Sequence, residues 1–496
     1  MMGVQEPAQG KLFYSNINLE QRIRANHPLR KINQLIDFDF SYKAVESKYG
    51  CNGNVSVPPP VILKLMLLLM FYNVRSEREL MSTLPERLDW LWFLGYDLDS
   101  DIPNHSVLSK AKKRWGVKLF KDFFERIVLQ CVQAGLVDGR KIFIDSSLID
   151  ADASNNSVVD TQSLKHRLLH KSFRELESRL EERDDSGDSS RSYKKANKRY
   201  ISSTDPDAAI VRRGKPKLSY QVHRAVDGQH EIITATDATP GDVNEAHLLE
   251  DLLKKHHDNT DKTAQTVVAD SKYGTIDNFL ACHDLGVAAH MPDLGKAIGK
   301  NNAKSSIFGE DRFRYDAARD VYLCPAGQEM KRKSLHQNRN GIDYAAPKKV
   351  CAACELRSQC TRNKMGRTLK RHLRQDDLDR MRQASQSAKA KRDIKTRQHL
   401  MERSFARAKR YGFDRARWRG LWRMQIQEYL ICAIQNIQVL IGCGSLPKKG
   451  QAMALQQIKM AISKNTRTDF ERLKLAIRFF VKSTVLRQRT VVPLFN

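Results

Sequence analysis

Apolar and polar positions along this chain follow two different rhythms. Up to about residue 136 the apolar residues recur at helical spacing, as in "SERELMSTLPERLDWLWFLG" and "LFKDFFERIVLQCVQAGL", with Gly135 and Gly139 closing the region. The pattern predicts a helical unit over residues 1–136. From residue 141 short β-branched runs take over: "KIFID", "LSYQVHRAVD", "HEIITATDAT" and "TVVAD" read as strands. "VNEAHLLEDLLKKH" and "IDNFLACHDLG" read as helices between or after them. Strands alternating with helices predict an α/β layer structure with a mixed sheet flanked by helices. The first part of this core is expected over residues 137–299.

Two stretches interrupt it. About residues 155–212 carry a charged helical pattern that runs into Ser, Asp and Gly, which suits a surface insertion. Residues 300–390 are rich in Lys and Arg and hold a group of cysteines. Helical spacing returns over 391–445, broken near Gly412, and residues 446–496 form a basic tail.

"VILKLMLLLMFYN", residues 61–73, is the most lipid-like segment. It falls short of the ~20 residues of a membrane span and contains Lys64, so it reads as a buried helix started by Pro58, Pro59 and Pro60. No basic region followed by an apolar stretch opens the sequence, so a cytoplasmic protein without a membrane partner is expected.

Charge changes the picture most. The 496 residues include 85 Lys plus Arg against 57 Asp plus Glu, a formal net charge of +28. Such a chain attracts polyanions, and double-stranded DNA is the expected partner, with a merely solvated basic surface as the alternative. Of 9 cysteines, Cys51, Cys131, Cys282, Cys432 and Cys443 are scattered and suit small core side chains. Cys324, Cys351, Cys354 and Cys360 follow the spacing C-x26-C-x2-C-x5-C. Four thiolates in this set could hold a structural Zn²⁺, against the alternative of reduced thiols in a surface module.

The acids carry the chemistry. "KIFID" ends in Asp145 and "TVVAD" in Asp270, so two strands of one sheet would each present an aspartate. Taken singly, each also reads as a strand-end cap or turn residue; Asp150 and Asp152 follow Asp145 as neighbours. Few protein carboxylates suffice for a hard divalent ion such as Mg²⁺. Phosphodiester chemistry with two ions needs them ~3.5–4 Å apart, clamping attacking and leaving oxygens. Within "RQHLMERSFARAKRYGFDRARWRG", Glu402 stands among basic residues, and Lys409, almost two turns on, shares its face. An exposed charged helix is the plain alternative.

With Asp145 in "FIDSS", Asp270 in "VVADSKYG" and Glu402 in "MERSFARAK", the chain resembles the DDE transposases of bacterial insertion sequences, nearest the group named after insertion sequence eleven eighty-two. "ERLDWLWFLGYDLD", "PNHSVLSKAKKRWG", "TPGDVNEAHLLEDLL" and "YLCPAG" extend the resemblance over most of the chain. It implies an RNase H-like catalytic domain with Asp145, Asp270 and Glu402 as catalytic acids holding two Mg²⁺ or Mn²⁺ ions. It also implies a helical amino-terminal domain that binds DNA ends, the glutamate delivered on a helix after an insertion, and a homodimer on paired ends. The activity implied is cleavage at terminal inverted repeats and transfer of 3′-hydroxyl ends to target DNA. A metal-dependent nuclease of the same fold, or an idle DNA-binding descendant, are the alternatives. Arg397 matches the basic residue of the related signature, whereas Ile394 stands where an aromatic is expected. Arg397, Lys409 and Trp418 are the expected DNA contacts; for Trp418 and Trp422 core packing is the competing role. Tyr273 is expected to pack or to touch phosphate.

Overall fold

The computed structural model describes residues 2–3, 18–160, 200–213, 215–295 and 307–443. Most of the expected insertion after residue 155 and all of the expected basic tail lie outside these residues.

The apolar run that starts at three prolines folds as helix α1, Pro59–Phe71, with prolines in its first turn where no intrahelical donor is lost. Its apolar residues point in every direction, and nearly all are buried, as a helix without a polar face requires. Helix α2, Lys118–Gln133, packs nearby. No helix among the described residues is long and apolar enough to cross a membrane.

Next comes a six-stranded sheet. Strand β1 spans Lys141–Asp150, β2 Ala209–Arg213, β3 Lys215–Asp227, β4 Ile233–Pro240, β5 Thr266–Val268 and β6 Ala288–His290. The order is β2-β3-β1-β5-β6, with β4 also paired to β3. β3 runs antiparallel to β1, β2 and β4, whereas β1, β5 and β6 are mutually parallel. Strand β2 lies inside the interval read from sequence as insertion, so the sheet is re-entered at Ala209. Before it, Val158–Asp160 pairs with Tyr200–Ser202 and brings the two flanks of the insertion together.

Side chains alternate across each strand, and the two faces go to different partners. Ile142 and Ile144 face a core with helices α3, Leu249–Thr260, and α4, Ile276–Asp284. Phe143, Val226 and Val268 join the core of the amino-terminal helices. Helices α5, Gln375–Ala384, α6, Ala388–Lys409, and α7, Leu421–Gly442, complete the layers. The all-round apolar α7 sits against α2, α1 and β4. The amino-terminal helices, one sheet face and α7 therefore share one continuous core.

Five short strands form a separate antiparallel meander between the sheet and α5. They are β7 (Arg314–Asp316), β8 (Val321–Leu323), β9 (Glu329–His336), β10 (Gly341–Ala345) and β11 (Thr368–His372). Phe313, Met330, Tyr344, Ala346 and Leu369 form its small core.

Candidate active site

From sequence β1 was expected to end at Asp145. It continues to Asp150, because these residues go on pairing with β3, and Asp145 stands opposite Arg224. The other edge of β1 behaves differently. Its parallel neighbour β5 stops at Val268, whose partner is Phe143. Two steps beyond that pair stand Asp145 and Asp270, side by side where the sheet opens between two parallel strands. Alternation puts both on the face of Phe143 and Val268.

Asp145 accepts hydrogen bonds from the Ser146 N–H at 2.8 Å and from the Arg397 guanidinium at 2.5 Å. Burial nevertheless raises its carboxyl above the ordinary aspartate value; Arg397 and the Ser146 N–H oppose this, while Asp270 and Glu245 add to it. Asp270 accepts the backbone N–H of Lys272 at 2.9 Å, which shapes the turn after β5. The pair suits a hard cation: two carboxylates on one open sheet edge, pushed toward neutrality by each other and by burial. Arg397 is the positive charge found there.

Glu402 lies on α6, which packs across β1, β5 and β6 through Ala390, Asp393, Leu400, Met401, Ser404 and Ala408. Arg397 on this inner side reaches Asp145. Five residues further, the helix has turned by about 140°, so Glu402 stands on the flank. It is exposed and accepts the Gln398 amide at 3.2 Å. Lys409 shares that flank and faces Asp414 at 3.6 Å. The structure thus brings Asp145, Asp270 and Arg397 together and leaves Glu402 with Lys409 at the rim. Trp418 is partly buried against the main core, and the Lys112 ammonium lies 3.5 Å from its ring centre. Trp422 also packs against that core.

Sequence reasoning passed over two residues. Glu245 is 5% exposed and carries charge to Asp145. In sequence it looked like an acid at a helix start, where solvent and the helix dipole account for it. Tyr273, expected to pack or to touch phosphate, is fully buried, and its hydroxyl has no hydrogen-bond partner.

The four clustered cysteines converge on one cavity in the meander, with Phe313, Met330 and Arg367 among its lining. Cys324 sits on the β8–β9 turn, closed by the Gly327 N–H donating to the Cys324 carbonyl at 2.8 Å. Gly366, with φ +94°, lets the chain pass so close that a Cβ there would lie 3.0 Å from the Cys351 sulfur. Burial raises the Cys360 thiol, Arg367 opposes this, and the other three cysteines add to it. The donor set and the shared cavity fit a thiophilic ion. Among the described residues, however, no three His, Cys, Asp or Glu side chains are arranged as a closed metal site.

Two family models match this chain. Residues 17–114 match a family described as Transposase domain (DUF772), and residues 323–441 one described as Transposase DDE domain. Both matched segments are transposase domains. The first covers the helices around α1; the second begins at the cysteine meander and runs through α6 and α7, so it contains Glu402 but neither aspartate. No curated protein and no solved structure matches the chain. The two transposase segments flank the six-stranded sheet, which lies in the unmatched interval between them.

Proposed function

We propose that the chain is a DDE transposase of a bacterial insertion sequence, of the group named after insertion sequence eleven eighty-two, with an RNase H-like catalytic domain. The observation that carries this reading is the adjacency of Asp145 and Asp270 on the open edge of parallel strands, between two transposase segments. The sheet order, three antiparallel strands continued by two parallel ones, supports it.

In this reading Asp145, Asp270 and Glu402 would hold two Mg²⁺ or Mn²⁺ ions. When bound, such ions activate water and neutralise charge on the leaving oxygen. The carboxylates give up their hydrogen-bonded partners and fix the scissile phosphate's position; Arg397, released from Asp145, and Lys409 on the rim face DNA phosphates. Water adds to phosphorus, the strand's 3′-oxygen leaves with a proton, and the freed 3′-hydroxyl later attacks target DNA with loss of the target's own 3′-oxygen. The amino-terminal helices read the terminal inverted repeats, and two chains act on paired ends.

The test is incubation of the protein with DNA carrying the element's ends, with Mg²⁺ or with chelator. Joined products that vanish with chelator support the reading. Cleavage without joining would reassign the chain as a nuclease, and binding alone as an idle descendant.

Cys324, Cys351, Cys354 and Cys360 hold a structural Zn²⁺ in this reading. Protein purified without chelator is expected to contain one zinc per chain by elemental analysis. Cys354→Ser with Cys360→Ser is expected to lose it and to lower the melting temperature of the meander, with the active-site carboxylates untouched. Zinc-free wild-type protein would remove this part of the proposal.

A further inference from the structure

Asn244 caps the single 3₁₀ turn Glu245–Leu248 that precedes α3, accepting the Ala246 N–H. An acid at such a position ordinarily faces water and needs nothing else. Glu245 instead lies buried beneath the sheet edge, with both carboxylate oxygens engaged. One oxygen receives the Lys272 ammonium, two residues past Asp270. The other receives the hydroxyl of Ser146, the neighbour of Asp145, and the Gln221 amide at 3.3 Å. A second bond from Gln221 to the Ser146 hydroxyl, 2.7 Å, fixes that hydroxyl in place. Glu245 is therefore tied to the residues beside each aspartate.

Tyr273 supplies an independent sign. It is 0% exposed, its hydroxyl has no hydrogen-bond partner, and the Ser146 hydroxyl beside it is committed to Glu245. Burial first, then the charges of Glu245, Asp145 and Asp270, push its proton affinity well up. One buried phenol thus feels all three carboxylates at once. An unsatisfied polar atom in such a place is a cost that the fold carries for a reason beyond packing.

We propose that Glu245 is a third metal-facing carboxylate, delivered from the start of α3 to the site of Asp145 and Asp270, with Lys272 and Arg397 as the cations that neutralise this set until a divalent ion replaces them. The inference rests on the acidic pair being a divalent-cation site. It adds to Glu402, which approaches from the opposite side of the sheet on α6. Three or more carboxylates around a hard ion suit Mg²⁺ or Mn²⁺, and a buried one on a rigid turn makes the site less dependent on the mobile rim.

The experiment is Mn²⁺ binding to the full chain, read by calorimetry and by the electron-paramagnetic signal of free Mn²⁺. Asp145→Asn serves as the check on the pair. Glu245→Gln is expected to weaken the site at least ~10-fold. Lys272→Met, which removes the competing ammonium, is expected to tighten Mn²⁺ binding several-fold in the wild-type background and by less than about twofold with Glu245→Gln present, a coupling that a purely structural ion pair would not give. Melting in chelator checks that each variant is folded. If Asp145→Asn weakens binding while Glu245→Gln stays within about twofold of wild type, Glu245 is not a ligand and the proposal falls alone. If Asp145→Asn leaves binding unchanged, the acidic pair itself falls, and this proposal with it.

Discussion

Asp145→Ala and Asp270→Ala are each expected to lower end cleavage at least ~1,000-fold while leaving binding of the same DNA within about twofold. The magnitude follows from the several kcal/mol that a bound ion contributes to charge stabilisation at phosphorus, since about 4 kcal/mol is a thousandfold in rate. Glu402→Ala is expected to match them. Its rim position makes it the most exposed to refutation: full cutting by that variant would remove it from the site and leave the carboxylates at the sheet edge to act without it. Acid should also silence the enzyme early. The carboxyl of Asp145 is raised by burial, so it takes up a proton, and loses its hold on a cation, at a pH where an ordinary aspartate is still ionised. The same shift has a sign for stability. A carboxyl raised in the folded chain favours folding below its unfolded value, and that contribution is lost as pH rises through the folded value. At neutral pH Asp145 is therefore a destabilising charge, and Asp145→Asn should melt higher than wild type in chelator even as it abolishes cleavage. An inactive variant that melts lower would show that lost structure, not lost chemistry, explains the result.

How much of this could be read from the sequence divides by distance along the chain. "KIFID" and "TVVAD" announce two strands with an aspartate each, because alternation and β-branching are local. That the two aspartates end up level depends on which strand pairs with which, and no local pattern encodes register. The end of β1 was misjudged for the same reason: Ser146 and Ser147 look like a turn, yet pairing to β3 holds them extended. Glu402 was found by resemblance, and the helical wheel correctly joined it to Lys409. The wheel could not say that Arg397, rather than Glu402, occupies the side facing the sheet, since an Arg-rich amphipathic helix has more than one polar flank. Glu245 was hidden because burial of a helix-start acid is decided by Ser146 and Lys272, both remote in sequence. The cysteines were visible as a spacing; the meander that gathers them arises from strands of three to eight residues, too short to carry a pattern.

Directly across the ladder from Asp145, Arg224 is expected to hold the other side of the site. It is fully buried, with its Nε donating to Glu428 of α7 at 2.6 Å and an Nη donating to the second oxygen at 3.1 Å. Its other Nη lies 3.4 Å from both the carbonyl and the hydroxyl of Ser404 on α6. The rings of Phe405 and Phe413 lie 4.9 and 4.8 Å from the guanidinium carbon. One side chain thus binds β3 to both helices, one of which carries Glu402. Arg224→Met should cost about 3–5 kcal/mol, because Glu428 would remain buried with only Thr236 and Cys432 as donors. Adding Glu428→Met should recover most of that loss, since two apolar side chains of similar volume leave no charge unpaired. Urea midpoints of the two single variants and the double one measure the coupling. The double variant then separates stability from positioning. If the pair serves only to hold the core together, a refolded double variant cuts end DNA as wild type does. If it sets where α6 lies over β1, cleavage stays low although the fold is restored, with Mn²⁺ binding at Asp145 and Asp270 retained.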